Sequence, residues 1–413
     1  MKMGEVGKTV RLGIVGFGGR GLGQTETLLQ MADVEVVAVC DVYEDRVKAA
    51  QELVAKFRPY TPAGETDYHK VVTRDDVDAV CVFSSWESHV DVCVAAMEAG
   101  KRVATEVGGA TSVDDCWRLV HTFEKTGVEC MMLENCCYGK EEMTLLNMVR
   151  LGLFGSVVHC DGGYRHDLRD EIGLGDVNRH YRQNHFLHRN AELYPTHELG
   201  PIAKYLNINR GNRMVSLVSM ASKAMGLHEW LREHRADKPE LVNAQVNEGD
   251  IVTTLIKCAN GETIALTHDC TLPRPYSRGG QIHGTKGVWM EDNRSIYLEG
   301  VTHDDPAAWT HTWEKDEKYM QQYEHPLWKE YEEFGLRGGH GGMDYLVLRA
   351  FIESVQKNET PTIDTYDTAA WMAVTALSEE SIAMGSMPVA VPDFTNGRWT
   401  KKRENEPTGE YVL

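Results

Sequence analysis

Short apolar runs rich in β-branched residues recur early in the chain, at Val10 to Val15, Val34 to Val39, Ala79 to Phe83 and Val128 to Leu133. Between them, Gly23 to Met31, Asp45 to Lys56, His89 to Ala99 and Val113 to Thr126 carry apolar residues three and four apart, the spacing of a helix with one buried face. Strand and helix in alternation predict parallel βαβ units. After Tyr138 the texture changes. Glu141 to Leu151 predicts a helix ended by Gly152, and Ser156 to Tyr164 opens a strand-rich region. Met214 to Ser219, Asp250 to Cys258 and Thr263 to Cys270 read as members of a mostly antiparallel sheet. Met343 to Val355 and Thr368 to Ala383 predict late helices, and from Val389 onward no periodicity is strong.

The chain has 413 residues, enough for two domains that each bury a core without disulfides or metal. Its 62 acidic against 43 basic residues leave a formal charge of -19, which repels a phosphate backbone, and no basic run offsets it. Nucleic acid is therefore not an expected partner. No stretch approaches the roughly 20 apolar residues of a membrane span, and Met1 to Val10 lacks an apolar signal core. The 10 cysteines include no C-x-x-C pair, and Cys40 and Cys81 lie inside apolar runs. Reduced core thiols and a cytoplasmic location are the expectation.

Val10 to Val15 runs directly into Gly16-Phe17-Gly18-Gly19-Arg20-Gly21, a G-x-G-x-x-G turn that opens a helix. In such a turn Gly16 permits the tight bend and Gly18 lets the backbone approach a diphosphate. Gly21 lets the helix lie close to the strand, and the diphosphate sits at the helix N-terminus. Arg20 adds positive charge there. Asp41 ends the next run, twenty residues beyond Gly21, where an acidic side chain accepts from both ribose hydroxyls and repels a 2′-phosphate. NAD is the expected cofactor. The expected fold class is α/β: an N-terminal Rossmann domain with a parallel sheet over residues 1–140, followed by a C-terminal α+β domain with a mostly antiparallel sheet over 141–413. The second domain is expected to bind substrate and to mediate oligomerisation.

Two further loops, Ser84-Ser85-Trp86-Glu87-Ser88-His89 and Val103-Ala104-Thr105-Glu106-Val107-Gly108, follow successive apolar runs. With the glycine turn, they resemble the glucose–fructose oxidoreductase, inositol dehydrogenase and MocA superfamily, whose corresponding loops close on the nicotinamide. That superfamily usually carries Glu-Lys-Pro where this chain has Glu106-Val107-Gly108, so the lysine that assists proton transfer is missing. The Glu-Val pair is similar to the family 109 glycoside hydrolases, NAD-dependent α-N-acetylgalactosaminidases. Further matches are Met132-Leu133-Glu134-Asn135 with Cys136 to Tyr138, Gly162-Gly163-Tyr164, the Arg182 region, Tyr194-Pro195-Thr196-His197 before Leu199-Gly200-Pro201, and Gly339-His340-Gly341-Gly342-Met343-Asp344. The resemblance implies that Arg20, Gly21, Asp41, the Trp86 to His89 loop, Glu106, Val107, Asn135 and Arg182 touch NAD. It gives the sugar Tyr164, Tyr194, Pro195, Thr196, His197 and Tyr276. An export signal of the kind common in that family is not expected here.

An ordinary glycosidase sets two carboxylates across the scissile bond. The resemblance implies a different scheme, with transient oxidation at C3, loss of the C2 proton, elimination of the C1 substituent, addition of water and return of the hydride. Histidine titrates nearest neutral pH, and His197 is expected to take the C3 hydroxyl proton. Tyr164 is the candidate base at C2, which requires a nearby cation or the enolate chemistry of the ketone itself, and Tyr194 completes the catalytic set. Tyr194 and Tyr276 also orient the sugar. The competing readings are a sugar or glycoside 3-dehydrogenase that releases NADH and a dinucleotide sensor without catalysis; the missing lysine favours the glycosidase. His180, His185 and His188 cluster without a zinc-binding spacing, so no metal is expected. The Gly338 to Gly342 segment around His340 reads equally as a lid or as a helix entry. Trp309, Trp313 and Trp328 read as interface, cleft rim or core. The identity of the sugar, its anomer and its aglycone do not follow from the sequence. A homo-oligomer through an open sheet face is expected.

Overall fold

The protein is described by a computed structural model over residues 7–108, 110–302, 311–335, 338–401 and 406–413. Trp309 lies outside the described residues. Within them the chain forms two compact units. The first comprises Met1–Met143, His325–Ala370 and Lys402–Leu413, and the second Thr144–Glu324 and Trp371–Lys401. The first unit is thus assembled from three stretches of chain, so a single cut near residue 140 does not separate the two.

The first unit holds a parallel six-stranded sheet of β1 (Val10–Val15), β2 (Val34–Cys40), β3 (Ala63–Glu65), β4 (Ala79–Val82), β5 (Arg102–Thr105) and β6 (Cys130–Met132). Their order is β3-β2-β1-β4-β5-β6, a Rossmann arrangement whose switch point lies between β1 and β4. Every residue of β4 and β6 is buried, as expected for strands covered on both faces. The helix Val113–Thr126 matches its predicted span because both ends are chemically marked. Ser112 accepts the Asp115 amide at 3.1 Å, and Gly127 closes the helix with φ +69°. The first helix instead begins at Gly19, ahead of the Gly23 expected from the pattern. Gly21 lies within it, and a Cβ there would sit 2.1 Å from the Gly16 carbonyl oxygen, so only glycine fits where the helix meets the strand.

The second unit holds a nine-stranded sheet of β7 (Val157–Arg165), β8 (Met214–Ala221), β9 (Ile251–Cys258), β10 (Thr263–Asp269), β11 (Gln281–Gly284), β12 (Gly287–Met290), β13 (Ser295–Leu298), β14 (Glu314–Lys315) and β15 (Val389–Ala390). All neighbours are antiparallel except β7 and β10, which run parallel from Thr263 beside His159 to Asp269 beside Arg165. Along β9 exposed and buried residues alternate strictly, the mark of a sheet with one wet face. The Val389–Ala390 strand lies in the tail where no periodicity was legible and pairs with β8.

All ten cysteines are buried thiols, none in a disulfide. No helix among the described residues is long and apolar enough to cross a membrane.

Candidate active site

In the first unit the glycine turn is dictated by close backbone approach. Gly16 has φ +98°, and a Cβ on it would lie 2.3 Å from the Ser84 amide nitrogen. At Gly18 a Cβ would meet only Arg46 Nη1, at 3.9 Å, and at Gly19 nothing within 4 Å, so this side of the turn is open. The helix that follows has no side-chain cap on Gly18 and no acidic residue in its first turn. Open space at uncapped helix amides fits a diphosphate. Asp41 is buried; its Oδ2 accepts the Phe17 amide at 2.7 Å and its Oδ1 the Tyr43 amide at 3.0 Å. The acid therefore fixes the turn through two backbone amides.

Arg20 extends from the same helix into a charged network. Its Nε donates to Glu106 Oε1 at 2.7 Å, and Nη1 and Nη2 donate to Asp344 at 2.8 and 3.0 Å. Gln24 donates to the same Glu106 oxygen at 3.0 Å, and Asn135 Nδ2 donates to Asp344 Oδ1 at 2.8 Å. His340 Nδ1 also lies 2.8 Å from Asp344 Oδ2. Burial works against the Asp344 charge, but the His340 contact and the Arg20 guanidinium outweigh it and hold the carboxyl well below its ordinary range. The positive charge expected of Arg20 is thus already matched by two carboxylates.

Trp86 Nε1 donates to the Val107 carbonyl at 3.2 Å, and the indole lies 2.7 Å from where a Gly108 Cβ would be. Gly108 has φ +75°, which proline, fixed near −65°, cannot adopt. The replacement of Glu-Lys-Pro by Glu106-Val107-Gly108 is therefore a change of backbone as well as of side chain. His89 is buried with Nε2 2.8 Å from the Ser84 carbonyl, so that nitrogen carries a proton. Burial lowers its pKa and keeps the ring neutral.

The second unit holds a cluster of aromatic rings. Tyr164 on β7 lies 4.3 Å from the Tyr194 ring and 5.4 Å from the His197 ring, and Tyr194 lies 4.8 Å from His197. Tyr276 joins at 6.1 Å from Tyr164 and is itself exposed. The glycines before Tyr164 are steric requirements. A Cβ at Gly162 would overlap Glu198 Cγ at 1.7 Å, and one at Gly163 the Thr267 carbonyl oxygen at 2.0 Å. Pro195 precedes the helix Thr196–Tyr205, which carries His197 in its first turn. The Thr196 hydroxyl is buried and has no hydrogen-bond partner among the described residues. Arg182 stands here, its guanidinium 5.1 Å from the Tyr194 ring centroid and paired with Glu171.

The structure thus gathers Gly16, Gly18, Arg20, Gly21, Asp41, Trp86, His89, Glu106, Val107 and Asn135 in the first unit. It gathers Tyr164, Arg182, Tyr194, Pro195, Thr196, His197 and Tyr276 in the second. Arg182, expected among the cofactor contacts, stands beside Tyr194 in the second unit, where the surrounding Tyr181, Tyr164, Glu171 and Tyr194 groups outweigh burial and raise its pKa. Two participants were missed. Asp344, on the helix Met343–Lys357, anchors Arg20 and Asn135 from far along the chain; its only sequence signal was its place at the end of the matching Gly339 to Asp344 segment. His166 Nδ1 lies 3.0 Å from the Tyr164 hydroxyl; the residue stands just past the end of β7 at Arg165, so no strand period marked it.

The glycine turn, the acid after β2 and the strand order define an NAD-binding oxidoreductase fold. Residues 10–134 match the oxidoreductase family with an NAD-binding Rossmann fold, and the cofactor is NAD. A scyllo-inositol dehydrogenase from Lactobacillus casei, solved with NAD(H) and scyllo-inositol, has the same fold. It superposes with a TM-score of 0.64 at 15% identity over 93% of this chain and 99% of that one. Residues 138–401 match the C-terminal domain of glycosyl hydrolase 109. An alpha-N-acetylgalactosaminidase of Tannerella forsythia is 39% identical over 95% of this chain and 88% of its own length. A glycosyl hydrolase family 109 protein of Stenotrophomonas maltophilia is 41% identical over 96% and 91%. The chain belongs to glycosyl hydrolase family 109. It is an NAD-dependent glycoside hydrolase in an oxidoreductase fold.

Proposed function

We propose that the enzyme hydrolyses α-N-acetylgalactosaminides, with the first unit holding NAD and the second unit taking the sugar. The observation that carries the reading is the Tyr164, Tyr194 and His197 ring cluster beside Arg182 and the buried, unsatisfied Thr196 hydroxyl. Such a cluster stacks on a sugar face, bonds its hydroxyls and moves protons near neutral pH. Relatives in Tannerella forsythia and Shewanella oneidensis named alpha-N-acetylgalactosaminidase support the substrate. Gly16, Gly18 and Gly21 cradle the diphosphate, Asp41 takes the ribose, and Trp86, His89, Glu106, Val107 and Asn135 complete the cofactor contacts.

NAD, when bound, supplies a reversible hydride acceptor for the sugar C3. His197 takes the proton from the C3 hydroxyl. With a ketone at C3 the C2 proton is acidified, and Tyr164 removes it, its phenolate favoured by Arg182 and its proton accepted by His166. Loss of the C1 substituent and addition of water follow, and the same groups return the protons. Tyr194 and Tyr276 hold the ring.

The test uses chromogenic α- and β-N-acetylgalactosaminides and the matching galactosides, with absorbance at 340 nm recorded throughout. The expected result is release of the aglycone from the α-N-acetylgalactosaminide without net NADH. Stoichiometric NADH with no bond cleavage would make the enzyme a 3-dehydrogenase instead.

A further inference from the structure

In the second unit the helix that carries His197 and the loop that carries Tyr276 are joined by a charged pair that the proposed chemistry does not use. Glu198 follows His197 in the first turn of the helix Thr196–Tyr205. Its side chain crosses β7 at Gly162, where a Cβ would overlap Glu198 Cγ at 1.7 Å. Its Oε1 reaches Gly280, where a Cβ would lie 3.1 Å away. Its Oε2 lies 3.7 Å from Arg278 Nε, and the Arg278 and Glu198 side chains are only 12% and 6% exposed. Two glycines thus leave the room that a buried carboxylate occupies. A charge withdrawn so far from water is tolerated only beside an opposite one, and Arg278 supplies it.

Arg278 also faces the sugar side. Its Nη1 donates to the Tyr276 hydroxyl at 3.4 Å, and its guanidinium carbon lies 5.9 Å from the Tyr276 ring centroid. The backbone around it is anchored. The Arg278 and Gly280 amides donate to the two oxygens of Glu291 at 3.4 and 2.8 Å, and Ser277 exchanges backbone bonds of 3.0 and 3.2 Å with Arg165 at the end of β7. Tyr276 itself is 45% exposed, so burial does little to fix its hydroxyl, and the Arg278 guanidinium is the group that reaches it. The helix turn that holds His197 has a support of its own, since the Pro195 carbonyl accepts the Leu199 amide at 3.1 Å.

We propose that Glu198 and Arg278 form a clamp that fastens the Tyr276 loop to the His197 helix and holds the Tyr276 hydroxyl in place for the sugar. Both are positioning residues: Glu198 orients Arg278, and Arg278 orients Tyr276. The effect on turnover rests on the functional reading above, but the existence of the clamp does not. In that reading Tyr276 holds the sugar ring and moves no proton. A contact made equally in the ground state and the transition state changes KM and leaves kcat alone, so the clamp acts on how tightly the substrate is gripped.

The experiment compares the full-length wild type with Arg278→Met, Glu198→Gln, Tyr276→Phe and the double variant Arg278→Met/Tyr276→Phe, by two readouts. The first is amide hydrogen exchange without ligand, followed by mass spectrometry over residues 274–280. Exchange there is expected to quicken in Arg278→Met and in Glu198→Gln, which fills the same space without the charge, and to stay as in the wild type in Tyr276→Phe. The second is KM and kcat on a chromogenic α-N-acetylgalactosaminide. Loss of one hydrogen bond should raise KM roughly three- to tenfold in Arg278→Met and in Tyr276→Phe, with no further rise in the double variant. In Arg278→Met kcat should stay within about twofold. Should Arg278→Met not fold, Arg278→Lys serves. Its ammonium keeps the charge for Glu198 but lacks the fork that reaches both partners, so the loop stays protected while KM rises.

Wild-type exchange over residues 274–280 in both Arg278→Met and Glu198→Gln would overturn the clamp. Additive KM effects of Arg278→Met and Tyr276→Phe, or a fall in kcat with KM unchanged, would overturn the positioning of Tyr276. A wild type that cleaves no glycoside would instead remove the functional reading, and the exchange rates would still decide whether the clamp exists.

Discussion

The glycine turn of the first unit and the tyrosine cluster of the second are built on opposite principles. In the first unit the chemistry is carried by backbone. Glycines at 16, 18 and 21 create the space, and every charge brought near is already answered: Arg20 by Glu106 and Asp344, Asp41 by two amides. In the second unit the polar groups are side chains, among them the Tyr164 and His166 pair and the Thr196 hydroxyl. A cofactor that must be held in one pose calls for a fixed electrostatic frame. A substrate that must lose and regain protons calls for groups whose charge can change.

The sharpest way to separate the two regions is His197→Ala. It should lower turnover about a thousandfold, in the middle of the usual range for a lost acid–base group, while calorimetric titration with NAD alone gives an unchanged affinity. Loss of NAD binding together with activity would erase the distinction. Next in size is Gly21→Ala, the converse case. Its methyl would lie 2.1 Å from the Gly16 carbonyl oxygen, forcing helix and strand apart at a cost of about 3 kcal/mol. NAD affinity should fall by more than tenfold, although alanine is the better helix former by about 1 kcal/mol. A variant that bound NAD as tightly as the wild type would show that close packing there is not needed for the cradle.

Asp344→Asn comes third and tests whether the first unit is held by answered charges. Removing the charge leaves Arg20 and its neighbours mismatched. The expected loss is about 2 kcal/mol, less than for a fully enclosed pair because Arg20 is one-third exposed. The pH dependence has a fixed sign. Asp344 is depressed on folding, so its contribution is present above the unfolded value of about 3.9 and disappears as the pH falls through the lower folded value. In acid the wild type should therefore lose stability faster than Asp344→Asn, as seen in thermal midpoints measured down from neutral pH. Parallel curves would mean that Asp344 carries no such charge.

The contrast also explains how much could be read from the chain. The cradle was legible because its parts follow in order along one strand, one turn and the next strand, so Gly16, Gly18, Gly21 and Asp41 fall at fixed spacings. The helix Val113–Thr126 was legible to the residue because both its caps are marked. Asp344 was not, since it joins Arg20 from more than three hundred residues away, and no local pattern encodes such a return. The members of the tyrosine cluster came from family resemblance. Ring contacts between Tyr164, Tyr194 and Tyr276 depend on how β7, the segment before His197 and the loop after β10 converge. The short strands Ala63–Glu65 and Val389–Ala390 were invisible because two or three residues cannot display a period.

The smallest effect, and the finest test of proton mobility in the second unit, is expected at His166. Burial lowers its pKa and the Arg182 charge lowers it further, so near neutral pH the ring is uncharged and Nδ1 accepts the Tyr164 hydroxyl proton. His166→Phe keeps an aromatic ring against Tyr276, which the wild-type imidazole meets edge-on at 5.0 Å, and removes only the acceptor. One neutral hydrogen bond is worth about 1 kcal/mol, so kcat should fall roughly three- to tenfold with NAD affinity untouched. The pH profile carries the stronger information. In the wild type, activity should decline as the pH falls through the lowered His166 value, because a protonated ring no longer accepts from the phenol. In His166→Phe that decline should be missing. If both profiles fall together in acid, the phenol is discharging its proton elsewhere, and Arg182 alone would have to account for its reactivity.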